Sequence, residues 1–186
     1  MVAVAPCSGF HHAKYASGFG YCTFNALMVT AMVLKQTGLV KNVGILDFDM
    51  HDGDGTTTLI EHHDASEWIT HYTAGREYLA SYQADEFLLR IPEMVAEMRD
   101  CDIILYQAGA DPHINDPLGG FLTTDQLRTR DKLVFESAKA LAIPIVWNLA
   151  GGYQIDANGG ISEVINIHNN TMRECVAVYA SPSDYM

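Results

Sequence analysis

Apolar residues occur in this chain in two alternating kinds of stretch. Short unbroken runs (VGILDFD at 43–49, DIILYQ at 102–107 and IPIVWNL at 143–149) have no helical period and read as strands buried on both faces. A shorter run at 68–72 reads as a fourth strand. Between the runs, apolar positions recur every three or four residues. Positions 23–36 carry Leu27, Thr30, Ala31 and Leu34 on one helical face, with Gly38 as a stop. Further helices are predicted at 56–63, at 91–100 with Pro92 in the first turn, at 123–142 behind a capping box of Thr123 and Gln126, and at 161–180. The stretch 73–89 reads as loop. Strand alternating with helix predicts an α/β fold, a three-layer, mostly parallel sheet with helices on both faces and right-handed crossovers.

Composition narrows the function. The 186 residues fit a single domain, 1–186, long enough to bury about two thirds of the unfolded surface. Lys plus Arg number 11 against 23 Asp plus Glu, so the formal net charge is −12, with no repeat or low-complexity tract. That balance excludes a nucleic-acid surface and favours cationic substrates or metal ions. Cys7, Cys22, Cys101 and Cys175 are too widely spaced for a zinc ribbon or a dense disulfide framework, and they suit a reducing compartment. Residues 1–6 lack a signal-peptide pattern, and the longest apolar stretch, 26–34, is too short for a bilayer; a cytoplasmic protein with no membrane partner is expected.

In parallel sheets ligands bind beyond the carboxyl ends of the strands. Three predicted strands here end in chemically loaded residues. After the first comes Asp47-Phe48-Asp49-Met50-His51-Asp52-Gly53-Asp54-Gly55. Extended chain projects Asp47, Asp49 and His51 to one face, a mixed O and N set suited to a divalent metal. Read blandly, the segment is an Asp- and Gly-rich turn, but a strand that buries two Asp needs a reason. Asp111 follows the second strand as a third candidate ligand, while Asp116, before Pro117, reads as a turn residue. Gly151 and Gly152 follow the third strand and present Tyr153, either a hydrogen-bond donor or an ordinary packing tyrosine. The His11-His12 pair reads three ways: surface residues, ligands, or a general acid/base pair oriented by Asp47 and Asp54. His62-His63 reads as solvated surface.

Five segments together, GFHHA at 9–13, GYCTFN at 20–25, DFDMHDGDGT at 47–56, AGADPHINDPLGGF at 108–121 and LAGGY at 149–153, resemble the zinc-dependent histone deacetylase and acetylpolyamine amidohydrolase superfamily in content and order. The resemblance implies an abbreviated arginase/deacetylase-like fold and a Zn²⁺ ion held by Asp49, His51 and Asp111. It makes His11 and His12 the tandem catalytic histidines, Asp47 and Asp54 their partners, and Tyr153 the oxyanion donor. Gly20, Tyr21, Leu118, Gly151 and Gly152 fall in substrate-binding segments, Tyr21 where the family usually has Phe. A monovalent cation, K⁺ or Na⁺, is implied near Asp47, with Thr70 as a candidate hydroxyl. The implied substrate is an acylated amine of acetyl-lysine or acetylpolyamine type.

Against the family pattern the chain lacks the usual N-terminal portion, and its 70–111 stretch is short. Tyr78 is the only nearby candidate for a second tunnel aromatic, and Asp52 stands where many members have His or Gln. These departures motivate a second expectation: a zinc-binding, catalytically impaired interaction protein, with a homo-oligomer covering an exposed apolar patch. A phosphotransferase with Asp47 as nucleophile leaves the histidines unexplained. An EF-hand loop fails, because Asp52 and Thr58 stand where Gly and Glu are required.

Overall fold

The computed structural model describes residues 1–180. The chain runs β1 (Val2–Ser8), α1 (Ala26–Gln36), β2 (Val43–Asp47), α2 (Asp54–His62), β3 (Ile69–Thr73), α3 (Ala84–Ala96), β4 (Ile103–Gly109), α4 (Thr124–Ala140), β5 (Ile145–Ala150) and α5 (Ser162–Tyr179), with two short 3₁₀ turns before α3. The strands form one sheet in the order β1-β5-β4-β2-β3, and every pair is parallel. The expected three-layer α/β fold is therefore present.

The unbroken apolar runs follow from burial on both faces. Successive β2 residues point to opposite sides. Val43 and Ile45 join Leu105 and the α1 and α2 side chains Leu27, Ala31, Leu59 and Ile60. Leu46 joins Ile104, Tyr106 and Trp147 under α3, α4 and α5. The sheet thus sorts two helices to one face and three to the other.

Helix ends follow local chemistry. Asn25 caps α1 by accepting the Met28 N–H at 3.0 Å, so the helix starts later than the apolar period suggests. The predicted capping box of α4 is formed: Thr123 Oγ1 accepts the Gln126 N–H and Gln126 Oε1 accepts the Thr123 N–H.

Two expectations fail. Helix α3 begins at Ala84, inside the stretch read as loop, and Pro92 lies within it rather than in its first turn. Phe87, Ile91, Met94 and Val95 form its buried stripe, and Asp85 and Glu86 sit where the helix dipole favours acids. Strand β1 was not anticipated. It is an edge strand, exposed along much of its length, and such a position tolerates Pro6.

The register sets the site. Asp47 of β2 stands opposite Gln107 of β4 and Thr73 of β3, and Gln107 stands opposite Asn148 of β5. The strands therefore end at one level, and the loops that follow share one rim. Among the described residues no helix is long and apolar enough to cross a membrane.

Phe135 is fully buried between Tyr106 and Trp147, whereas Leu89 is 80% exposed. Phe135→Ala is expected to lower unfolding stability by about 3–5 kcal/mol. Leu89→Ala is expected to change it by less than about 0.5 kcal/mol, both read from urea denaturation midpoints.

Candidate metal centre and active site

Beyond Asp47 the β2 ladder makes one more bond, from the Phe48 N–H to Gln107 O, and the chain then turns away. Asp49 is delivered at that turn. Asp111 arrives from the end of β4, just past Gly109. A β-carbon on Gly109 would lie 2.6 Å from Asp49 Cα, so only glycine lets the two strand ends come this close.

His51 lies between the carboxylates. Its Nδ1 is 3.1 Å from Asp49 Oδ1 and 3.0 Å from Asp111 Oδ2. One ligand atom from each of Asp49, His51 and Asp111 fits within 4.8 Å of the others. Its hydrogen bonds to the Asp111 and Asp49 carboxylates raise the His51 pKa to about 10. Burial, with Asp49 alongside, pushes the Asp111 carboxyl up to about 6. Both shifts report surplus negative charge in a buried place. A divalent cation relieves that surplus, and the O, N, O donor set suits zinc. The residues fit the ion that the resemblance implies.

The two histidines each engage a carboxylate. His11 Nδ1 is 2.6 Å from Asp47 Oδ2, and its Nε2 looks toward Asp49 Oδ1 at 3.7 Å. Burial works against a charge on His11, but Asp47 overcomes it and the pKa rises to about 9. His12 Nδ1 is 2.8 Å from Asp54 Oδ1, and Lys14 holds the other Asp54 oxygen at 2.8 Å. Burial would raise the Asp54 carboxyl, but Lys14 and His12 bring it below its ordinary value. The rings of His11 and His12 are 4.1 Å apart. Asp47 is fully buried and hydrogen-bonded on both oxygens, by His11 and by the Asp49 N–H at 3.1 Å. That leaves it in no position to attack a phosphoryl group.

Tyr153 closes the third side. Gly151 has a φ of +51° and no space for a β-carbon, which would stand 2.3 Å from Asp111 Cγ. The turn passes directly over Asp111 and leaves Tyr153 half-buried. Burial beside Asp111 and Asp49 lifts its phenol above the ordinary value. His11, His12, Asp49, Gly151 and Tyr153 line one cavity of ≈ 210 Å³. A cleft of ≈ 560 Å³ beside α1 is larger but holds none of these residues.

The other candidates are more scattered. Gly20 and Tyr21 also line the small cavity. A β-carbon on Gly20 would lie 2.5 Å from His12 Cδ2, and Tyr21 stands 6.1 Å from Tyr153, ring to ring. Gly152 packs against Val164 and Ala110. Leu118 is half-exposed and lines a neighbouring cleft with His12 and His51. Tyr78 is no tunnel aromatic: it is buried between Phe87 and Phe121 in the core, its hydroxyl bonded by Arg90. A second aromatic at the rim, beside Tyr21, is Phe19, edge-on to His12 at 5.7 Å. Thr70 is exposed at the level of Gly44, three residues short of Asp47; Thr73 is the β3 hydroxyl opposite Asp47. Asp52 pairs with Arg76 at the surface, and His62 and His63 are exposed.

Sequence reasoning missed three features. Asp116 is a turn residue that bonds the Leu118 N–H, but its other oxygen accepts the Tyr153 N–H at 2.8 Å. Gln107 and Asn148 extend the polar row begun by Thr73 and Asp47; a polar residue closing each apolar run was the available signal. Arg130 and Asp131 are fully buried on α4. They occupy the same stripe as Leu127, Val134 and Ala138, where a charged pair is itself a signal.

The sequence pattern of the histone deacetylase domain matches this chain over residues 1–78 and 69–168. An uncharacterized protein of Picosynechococcus sp. is 27% identical over 169 residues, 82% of this chain and 56% of its own length. Histone deacetylase 2 of Arabidopsis thaliana is 27% identical over 164 residues, 78% of this chain and 42% of its own. The chain thus spans about half the length of these curated relatives. The acetylpolyamine aminohydrolase of Burkholderia pseudomallei superposes with a TM-score of 0.72 at 19% identity, over 95% of this chain and 57% of that one, a likeness of fold. The sheet order, the strand-end cluster and a sequence match over most of its length agree, and the chain belongs to the histone deacetylase domain family.

Proposed function

We propose that this chain is a zinc-dependent amidohydrolase that removes an acetyl or short acyl group from a lysine- or polyamine-type amine. One observation carries the reading: three ligand atoms converge within 4.8 Å beside a cavity lined by two carboxylate-bound histidines and a tyrosine. Held by Asp49, His51 and Asp111, zinc supplies a Lewis acid for the amide carbonyl and lowers the pKa of the attacking water.

The protein groups divide the remaining work. Asp47 and Asp54 each engage one Nδ1, which orients the imidazoles and leaves both Nε2 atoms for chemistry. One of the two histidines takes the proton from water and one returns a proton to the leaving amine. Asp47, which outweighs burial and raises the His11 pKa to about 9, suits His11 to the donor role. The Tyr153 hydroxyl keeps its proton at neutral pH and donates to the developing oxyanion. The net charge of −12 suits a cationic amine product. A K⁺ or Na⁺ ion beside Asp47 belongs to the same proposal, with Thr73 rather than Thr70 as the hydroxyl that would serve it.

The exposure of the rim favours one other reading. Tyr21 is 86% and Phe19 65% exposed, so the cavity has open walls. A zinc-binding relative that does not hydrolyse would look the same at the ligands. Zinc-loaded, folded protein is expected to release acetate from an acetyl-lysine or acetylpolyamine reporter. Tight zinc and hydroxamate binding without acetate release would select the second reading.

Two variants test the roles. Tyr153→Phe should lower kcat by about 10²–10³ while zinc content stays stoichiometric. Gly151→Ala and Gly159→Ala place a side chain at similar positive φ, +51° and +80°, but only the first drives a β-carbon into Asp111. Metal analysis after dialysis should find zinc lost from Gly151→Ala and retained by Gly159→Ala.

A further inference from the structure

Helix α4 buries an ion pair where its pattern calls for apolar side chains. Arg130 and Asp131 are fully buried, and replacing such a pair by apolar residues is often neutral or stabilising. Their partners show what the pair does. Arg130 Nη1 donates to the main-chain carbonyls of Phe48, at 3.2 Å, and Gly109, at 2.7 Å. Its Nε donates to Asp131 Oδ1 at 2.8 Å. Asp131 is fixed in turn by the Tyr106 hydroxyl at 2.5 Å and the Thr171 hydroxyl at 2.6 Å.

Both carbonyls sit where the β2–β4 ladder ends. Its last bond is Phe48 N–H to Gln107 O. Buried carbonyls past that point need donors. The Phe48 carbonyl belongs to the peptide that leads into Asp49, and the Gly109 carbonyl lies two residues before Asp111. One guanidinium nitrogen therefore ties together the two backbone segments that deliver the carboxylates of the cluster.

We infer that Arg130 is a positioning residue for the metal centre: through the carbonyls of Phe48 and Gly109 it sets the spacing of Asp49 and Asp111. The inference rests on the metal reading above. Arg130 touches neither ligand carboxylate by hydrogen bond, so its effect passes through the backbone. It also places a positive charge behind a cluster rich in negative charge, anchored through its Nε to Asp131. A lysine at this position has one ammonium on a flexible stem. It can bridge the carbonyls or reach Asp131, but has no planar fork to do both.

The test measures metal binding rather than turnover. Zn²⁺ affinity is determined by chelator competition, and the visible spectrum is recorded after Co²⁺ loading, for the parent, Arg130→Lys, the double variant Arg130→Met/Asp131→Asn, and Phe135→Ala. The double variant avoids leaving Asp131 buried without its cation. Phe135→Ala reports what general loosening of α4 does. Zn²⁺ affinity is expected to fall about tenfold to hundredfold in Arg130→Lys, and at least as far in the double variant. The Co²⁺ bands should change in position or intensity, while Phe135→Ala stays near the parent in both measurements. If the double variant does not fold, Arg130→Lys decides. A parent that binds zinc and an Arg130→Lys that binds it equally well overturn the inference and leave the metal reading standing. An equal loss in Phe135→Ala assigns the effect to general loosening and also overturns the inference. A folded parent that binds no metal overturns both readings.

Discussion

The structure depends on holding two carboxylates together in a buried place. Asp49 and Asp111 come from the ends of adjacent parallel strands, and one imidazole, that of His51, stands between them. Burial, with the like charge of Asp49 beside it, makes Asp111 bind its proton more tightly than a free carboxyl. The fold must therefore supply both the force that keeps them close and the positive charge that makes closeness tolerable. The first comes from the ladder, which brings β2 and β4 to one level, and from Gly109, whose missing side chain lets the segments touch. The second comes from His51 and, from behind, from Arg130.

The same constraint accounts for the polar groups around the cluster. His11 and His12 each carry a carboxylate on the far nitrogen, which fixes the orientation of both imidazoles. Asp116 does for Tyr153 what Asp47 does for His11, but through the backbone: it accepts the Tyr153 N–H and pins the turn from which the ring extends. Three loops, from β2, β4 and β5, are cross-linked in this way by side chains that reach main-chain groups. Sites that tolerate little displacement need such support.

What the sequence made legible follows the range of the interaction. Unbroken apolar runs revealed β2, β4 and β5, because burial on both faces leaves a mark residue by residue. Alternation along one strand end grouped Asp49 with His51, and position after a second run added Asp111. The first turns of helix α3 escaped because its apolar stripe is spaced there by charged and exposed residues such as Glu86, Leu89 and Arg90. Edge strand β1 escaped because it is defined by pairing with β5, 143 positions away at the Val2–Ile145 pair, and not by its own period. Arg130 and Asp116 escaped for a related reason. Their partners are carbonyls and amides of distant loops, and the sequence holds no trace of a main-chain partner. Tyr78 shows the converse error: an aromatic at a plausible position was needed by the core.

The rim illustrates how position can be fixed without burial. Tyr21 is largely exposed, so packing does not hold its ring near Tyr153. The backbone does. Phe19 and Cys22 exchange hydrogen bonds at 3.1 and 2.8 Å, and the residues between them, Gly20 and Tyr21, have φ of +53° and +62°. Reciprocal bonds around two residues of positive φ mark a type I′ turn, whose twist admits few conformations. Glycine adopts the first position freely, but a tyrosine in the second costs on the order of 1–3 kcal/mol. The surroundings sustain that strain: Gly20 lies so close to His12 that no β-carbon fits, and the Cys22 thiol bonds the Gly20 carbonyl at 3.2 Å. The turn is thus wedged against the histidine that it borders. A displacement of His12 would be felt by Tyr21 through Gly20, and by Phe19, whose ring meets His12 edge-on, so the open side of the cavity is coupled to the histidines that it borders.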